Sequence, residues 1–255
     1  MICVALIISH GSDHAPSLVD SLIQNTDLEI ILIENGEKQW FNCDRLSVHY
    51  VPNRGYAHAF NTGLRITKTE GYEAVLILGH DVVVQDFSTL FNMIDTLQQG
   101  QADFVWHETK SEDTVASDMI AGSVDRSLIR SKLLTSPDEV LGAQNIYPNL
   151  SAACFLLTDG SCNLDERFFM YWEDVDLSFD PNFKKLRKII FLGKGLIHRR
   201  AIQNNTIKKT LFVKIQGLIS SYYFYKKYSV NRGILFFAAN RLINHFKYFF
   251  RIYSR

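Results

Sequence analysis

Three carboxylates fall within four residues at Glu173-Asp174-Val175-Asp176, inside an aromatic stretch that runs from Phe168 to Phe179. Crowded negative charges disfavour one another, and apolar surroundings disfavour charge altogether. A carboxyl in such a place binds its proton more tightly than in water, which suits a general base. Acids also favour the positive N-terminal end of a helix, so the same run reads equally well as a solvated helix start.

Asp81 follows a strongly apolar segment, 74–78. A carboxylate leaving a buried strand is placed to hold a divalent cation that bridges phosphate oxygens, or else to form a turn. His198, after another apolar strand, offers a second ligand or a structural imidazole. The segment Asn53-Arg54-Gly55-Tyr56-Ala57-His58-Ala59-Phe60-Asn61-Thr62-Gly63 joins a strand to a helix. Gly55 permits close backbone approach there, and the helix N-terminus faces whatever anion sits before it. Neither the phosphate-loop pattern GxxxxGK[ST] nor the dinucleotide pattern GxGxxG is present.

The elements that must position these groups follow from hydrophobic periodicity. Segments 3–9, 29–34, 47–51, 74–78 and 103–107 read as strands, and 15–25, 56–69 and 87–99 as the helices between them. Such alternation predicts an α/β layered domain with a largely parallel sheet. In these sheets ligands gather at the carboxyl ends of the strands, where Ser9-His10, Glu34-Asn35, Asn53-Arg54-Gly55 and Gly79-His80-Asp81 stand. Residues 111–150 read as a loop-rich crossover on the acceptor side. An apolar run at 151–157 and a strand at 188–192 complete the domain.

The 255 residues are 47% hydrophobic and 21% charged, which excludes a disordered chain. The four cysteines form no CxxC pair, and the opening apolar run is short and lacks a basic flank. Both features fit a reducing, cytoplasmic setting rather than a secreted one. The net charge of zero conceals a segregation. Asp180 is the last acid, and residues 181–255 hold 17 of the 27 basic residues together with 15 aromatics. Such asymmetry points to an anionic partner. Nucleic acid leaves the acidic cluster without a role, so an anionic membrane surface is the better expectation.

From 207 onward the pattern is helical. Leu211, Ile215, Leu218, Tyr222 and Tyr225 form one apolar series, and Leu235, Leu242, Phe246, Phe249 and Tyr253 a second. Neither series is long enough to span a bilayer. The expected division is a domain over 1–206 and a basic helical tail over 207–255. The first helix is expected either to cap the domain or to meet lipid, and the last to lie in the membrane interface. The apolar faces also suit pairing in a homo-oligomer.

In chain order, Ile8-Ser9-His10, Ile33-Glu34-Asn35-Gly36, Asn53-Arg54-Gly55-Tyr56 with Asn61, the strand into Asp81, and Leu164-Asp165-Glu166-Arg167-Phe168-Phe169-Met170-Tyr171-Trp172-Glu173-Asp174-Val175-Asp176-Leu177 resemble the family-2 glycosyltransferases. The likeness is to their bacterial rhamnosyltransferase-like branch and covers about residues 1–200. It implies a GT-A fold, a Rossmann-like nucleotide-binding sheet merged with an acceptor half, and an inverting sugar transfer. It implies Asp174 as general base with Glu173 beside it. It also implies Asp81 and His198 at a Mg²⁺ or Mn²⁺ ion, and Ser9, Glu34, Asn53, Gly55 and Asn61 around the nucleotide. His80, where relatives carry other residues, is assigned to the nucleotide-sugar pocket as a ligand or stacking group. Glu34 stands where Asp is usual, and its extra methylene shifts the carboxylate. The expected donor is dTDP-L-rhamnose, then a UDP-hexose. The expected acceptor is a polyprenyl-diphosphate-linked glycan of O-antigen or capsule assembly, met on the inner face of the cell membrane.

Overall fold

The segment Cys3–Ser9 is apolar at nearly every position, as a strand covered on both faces must be. In the computed structural model, which describes residues 1–40, 43–108, 110–111, 121–125, 130–134, 146–148, 150, 153–158, 162–192, 195–199 and 207–228, it is the central strand β1. On one side it pairs in parallel with β2 (Glu29–Glu34), which pairs in parallel with β3 (Leu46–Tyr50). On the other it pairs in parallel with β4 (Ala74–Gly79). Strand order thus reverses at β1, and the crevice at the carboxyl ends of β1 and β4 is the place where open α/β sheets bind ligands.

Beyond β4 lies β11 (Ala153–Leu157), antiparallel to it, then β6 (Phe104–His107) and β12 (Lys188–Phe191), giving a seven-stranded sheet. Alternate residues of each strand face opposite layers. Leu6, Ile8, Ile31, Ile33, Val75 and Ile77 pack with Phe60 of α2 (Tyr56–Thr69) and with Phe183 of α5 (Pro181–Lys185). Ala5, Ile7, Ile30, Leu32, Leu76 and Leu78 face α1 (Ala15–Asn25) and α3 (Phe87–Gln98). Asp86 caps α3 through Ser88 N, and Asp180 caps α5 through Asn182 N at 2.7 Å. Such caps satisfy amides that a helix leaves unpaired at its start.

Two small sheets lie apart from the main one. β5 (Val82–Val84), β13 (Leu196–His198) and β7 (Lys110–Ser111) form the first; β10 (Ile146–Tyr147), β8 (Ala121–Asp125) and β9 (Arg130–Leu134) form the second. The loop-rich reading of 111–150 is corrected here. β8 and β9 pair in antiparallel register from Ala121 with Leu134 to Asp125 with Arg130. Short strands rich in Ser, Asp and Gly lack the apolar alternation that marks a strand in sequence.

The chain continues through α4 (Glu173–Leu177) and ends, as described, in α6 (Ile207–Lys227). The first of the two expected tail helices is therefore present. The second apolar series, 235–253, lies outside the described residues. No described helix is long and apolar enough to cross a membrane.

Candidate functional site

At the carboxyl end of β1, Ser9 is fully buried, and its carbonyl accepts from Asn35 N at 3.0 Å. The neighbouring His10 ring joins the Asn35 side chain at 3.0 Å. Glu34 is also fully buried. Its Oε1 accepts from Gly11 N at 2.8 Å and Gly36 N at 2.6 Å, and its Oε2 accepts from the Trp40 indole at 3.0 Å. Burial alone would raise its pKa. The hydrogen bonds from Trp40, Gly11 and Gly36 outweigh burial and hold the carboxyl below its ordinary value. Glu34 thus ties together the loops after β1 and β2. These bonds occupy both carboxylate oxygens of the residue expected to meet the nucleobase.

At the end of β4, the His80 ring is 3.1 Å from the Ile8 carbonyl, which fixes it against β1. Asp81 lies beside His198, with Oδ1 3.2 Å from Nε2. Antiparallel pairing of β5 with β13 sets His198 opposite Val82, and Arg199 N donates to the Asp81 carbonyl at 2.7 Å. Two residues 117 positions apart are thus held by backbone pairing. Burial would raise the Asp81 pKa, but the His198 hydrogen bond and charge, with His80 adding, keep it low. Among the described residues no group of three His, Cys, Asp or Glu side chains forms a metal shell. Asp81 would supply the carboxylate that suits Mg²⁺ or Mn²⁺, and His198 would add a nitrogen donor beside it.

The strap 162–172 is fastened to α2. Asn61 Nδ2 donates to Leu164 O at 2.8 Å, and Asn61 Oδ1 accepts from Leu164 N at 2.9 Å. His58 Nδ1 lies 2.9 Å from Glu166 Oε2. Tyr56 N donates to Phe169 O at 3.0 Å, while Asn53 Oδ1 accepts from Gly55 N at 3.2 Å. Gly55 adopts φ +97°, and a Cβ there would overlap the Phe169 carbonyl. Asn53, Gly55 and Asn61 therefore organise the strap that precedes the acids. Asn61, expected near the nucleotide, makes its described side-chain bonds to Leu164 and Glu166.

The strap ends in two consecutive left-handed residues, Tyr171 at φ 66° and Trp172 at φ 73°. Bulky side chains rarely occupy that region, and such strain clusters at functional turns. The turn delivers Glu173 and Asp174 as the first residues of α4. Loss of water raises both carboxyls above their ordinary values, and in Glu173 the neighbouring Asp174 charge adds to it. Asp174 Oδ1 accepts from Val175 N at 2.7 Å, whereas Glu173 Oε2 is buried without a partner. The half-buried Tyr56 phenol is pushed well above its usual pKa, first by burial, then by Cys154 and by the charges of Glu173, Asp174 and Asp81. The sequence treated Tyr56 only as part of a loop motif.

The third acid has a separate task. Asp176 Oδ2 accepts from Lys227 Nζ at 2.7 Å, and its Oδ1 from the Tyr228 hydroxyl at 3.0 Å. Lys227 also reaches Asp165 at 3.0 Å, and the Ser220 hydroxyl donates to Met170 O at 2.8 Å. Trp172 packs on Phe224 and Tyr225, with ring centroids 5.1 and 5.6 Å apart. α6 is a buttress behind the strained turn. Nothing in the spacing of Asp176 and Lys227 signalled that contact.

No protein-family model matches the sequence, and neither does any curated protein. Solved structures do resemble the fold. The mannosyltransferase PcManGT from Pyrobaculum calidifontis, solved with GDP-Man and Mn²⁺, superposes with TM-score 0.52 at 12% identity, over 89% of this chain and 64% of its own. A197 from STIV gives TM-score 0.45 at 16% identity over 77% and 83%. A mannose-1-phosphate geranyltransferase from Thermus thermophilus gives 0.41 at 12% over 78% and 74%. The fold is GT-A: a mixed, mostly parallel sheet between helical layers, with an added C-terminal helix.

Proposed function

We propose that this chain is an inverting glycosyltransferase that moves a sugar from a nucleoside-diphosphate donor to a hydroxyl of a membrane-linked glycan. One observation carries the reading. A desolvated acidic pair, Glu173 and Asp174, follows the strained Tyr171-Trp172 turn, and the charges of both acids act on the Tyr56 phenol together with that of Asp81, itself paired to His198.

Asp174 accepts the proton of the acceptor hydroxyl as that oxygen attacks the anomeric carbon. The bond from that carbon to the diphosphate oxygen breaks on the opposite face, and its electrons leave with the nucleoside diphosphate. Burial raises both members of the pair, which share their titration, and Glu173 tunes the proton affinity of Asp174. Asp81 and His198 would hold Mg²⁺ or Mn²⁺, which offsets the charge developing on the leaving diphosphate. His80, Ser9 and Asn53 line the donor side, and Glu34 ties together the loops after β1 and β2.

The donor proposed first is dTDP-L-rhamnose, by the resemblance of the 164–177 segment, with UDP-hexoses second. The acceptor is proposed to be a polyprenyl-diphosphate glycan of bacterial surface polysaccharide, reached from the inner membrane face. Thermal-shift binding of dTDP, UDP, GDP and CDP, each with and without Mn²⁺, tests this. Saturation about 100-fold above Kd stabilises a fold by about 2.7 kcal/mol. Metal-dependent stabilisation by dTDP supports the rhamnosyl donor, and a response to UDP instead changes the sugar. Silence with all four nucleotides overturns the transferase.

A further inference from the structure

α6 has two faces with different fates. Its inward side holds Ser220, Phe224 and Tyr225, all buried behind the strap. Its outward side leaves six large apolar residues exposed: Leu211, Phe212, Ile215, Ile219, Tyr222 and Tyr223, between 39% and 56% each. Leu211, Ile215, Ile219 and Tyr222 follow one another at intervals of four, four and three, so they form one line along the helix. Eleven residues at 1.5 Å each make that line roughly 16 Å long. The same spacing carries exposed Lys226 to its C-terminal end.

We propose that this face of α6 is a docking surface for an anionic lipid bilayer, lying in the interface parallel to the membrane plane. Charge decides the occupant. The helix sequence has five lysines and no acid, with Lys227 held inward by Asp165 and Asp176, and no acid occurs anywhere after Asp180. Apolar and aromatic side chains between lysines are what an interfacial helix presents, with the ammonium groups reaching up to the phosphates. A second copy of the chain fits less well. It would set lysine against lysine, and six side chains are few against the roughly 20–30 residues a side of a stable protein interface. The inference deepens the proposed function and rests on it for the acceptor. The docked helix, about 10 Å across, would stand between the bilayer and the turn that presents Asp174.

The test is co-sedimentation of the full chain with phosphatidylcholine vesicles, plain or containing about 30% phosphatidylglycerol. No donor or acceptor is present, so the outcome is independent of catalysis. We expect binding to the anionic vesicles only, weakened by high salt. Binding should fall about tenfold or more in the triple variant Leu211→Ser, Ile215→Ser, Ile219→Ser. Phe91→Ser, which removes an exposed ring from α3, should bind as the parent does. If the triple variant does not fold, Ile215→Asp alone takes its place. Failure of the parent to bind, or undiminished binding of the variant, overturns the docking surface while leaving the transferase reading standing. So does light scattering that shows a dimer in the parent and a monomer in the variant.

Discussion

Asn61 and Leu164, 103 positions apart, are joined by both ends of one amide: Nδ2 donates to the Leu164 carbonyl at 2.8 Å and Oδ1 accepts from the Leu164 N–H at 2.9 Å. The pairing copies a pair of strand hydrogen bonds with a side chain. It fastens the strap that leads through Tyr171 and Trp172 to Asp174, so the proposed base inherits its position from α2.

Asn61→Leu keeps the volume and removes both hydrogen bonds, leaving two backbone groups of a part-buried segment unpaired. Stability should fall by about 2–3 kcal/mol, read from urea unfolding. Asn61→Asp retains the acceptor for Leu164 N and should lose about half as much. Equal losses in the two variants would remove the clasp from the account.

The acidic pair dictates a pH dependence. Burial raises Asp174 and Glu173 above ordinary carboxyls, so kcat/KM should rise with pH through a limb centred well above ~4, the usual carboxyl value. Stability should move oppositely. A carboxyl that binds its proton more tightly when folded stabilises the fold fully below the unfolded pKa, and that contribution is lost as pH rises through the folded one. Asp174→Asn, uncharged at every pH, should therefore raise Tm by about 2–6 °C at pH 7 while lowering kcat by about 10²–10⁴. A variant both inactive and less stable would contradict this assignment.

Much of the fold was legible in the residues. The parallel core followed from apolar runs ending in polar groups, because a doubly covered strand tolerates no other composition. Asp81 and the acids at 173–174 stood out since carboxylates beside apolar runs are costly unless used. The small sheet around β8 escaped notice, its strands being short and polar. The work of Asp176 and Glu34 was also hidden. Glu34 and Asp176 tie loops together through donors 2 to 52 residues away, and no local pattern encodes the distant ones.

The Asp81–His198 pair predicts where metal dependence resides. Asp81→Asn and His198→Ala should each abolish the extra thermal shift that Mn²⁺ gives a bound nucleoside diphosphate. Metal affinity should fall about 10–100-fold. Nucleotide binding without metal should persist. Titration calorimetry that found Mn²⁺ affinity unchanged in both variants would move the metal away from β4.

Gly55 predicts a steric outcome. Its φ of +97° is unfavourable for any L side chain, and a Cβ would meet the Phe169 carbonyl that accepts from Tyr56 N. Gly55→Ala should destabilise by about 2 kcal/mol or more and loosen the strap. Amide exchange at Tyr56, protected by Phe169 O in the parent, should speed up markedly. An Ala variant with native stability and protection would mean that the loop has room the structure does not show.

The last prediction concerns the buttress. Lys227 bridges Asp165 and Asp176, and Asp176 is almost wholly buried. Burial raises the Asp176 pKa, and Lys227 and Tyr228 draw it back only in part. Lys227→Met leaves that carboxylate with the Tyr228 hydroxyl alone, at a cost of about 1–3 kcal/mol. The larger consequence is expected in catalysis. α6 holds the left-handed turn through Ser220 on Met170 O and through Trp172 on Phe224 and Tyr225. A helix released at its last turn lets Tyr171 and Trp172 relax and lets water reach Glu173. We therefore expect kcat to fall more than KM changes, and the acid limb of kcat/KM to move down in pH as the acidic pair regains solvation. Lys227→Arg, which keeps the charge and both reaches, should restore most of kcat and the position of the limb. Loss of stability with an unshifted limb would reduce α6 to a structural cap and separate it from the base.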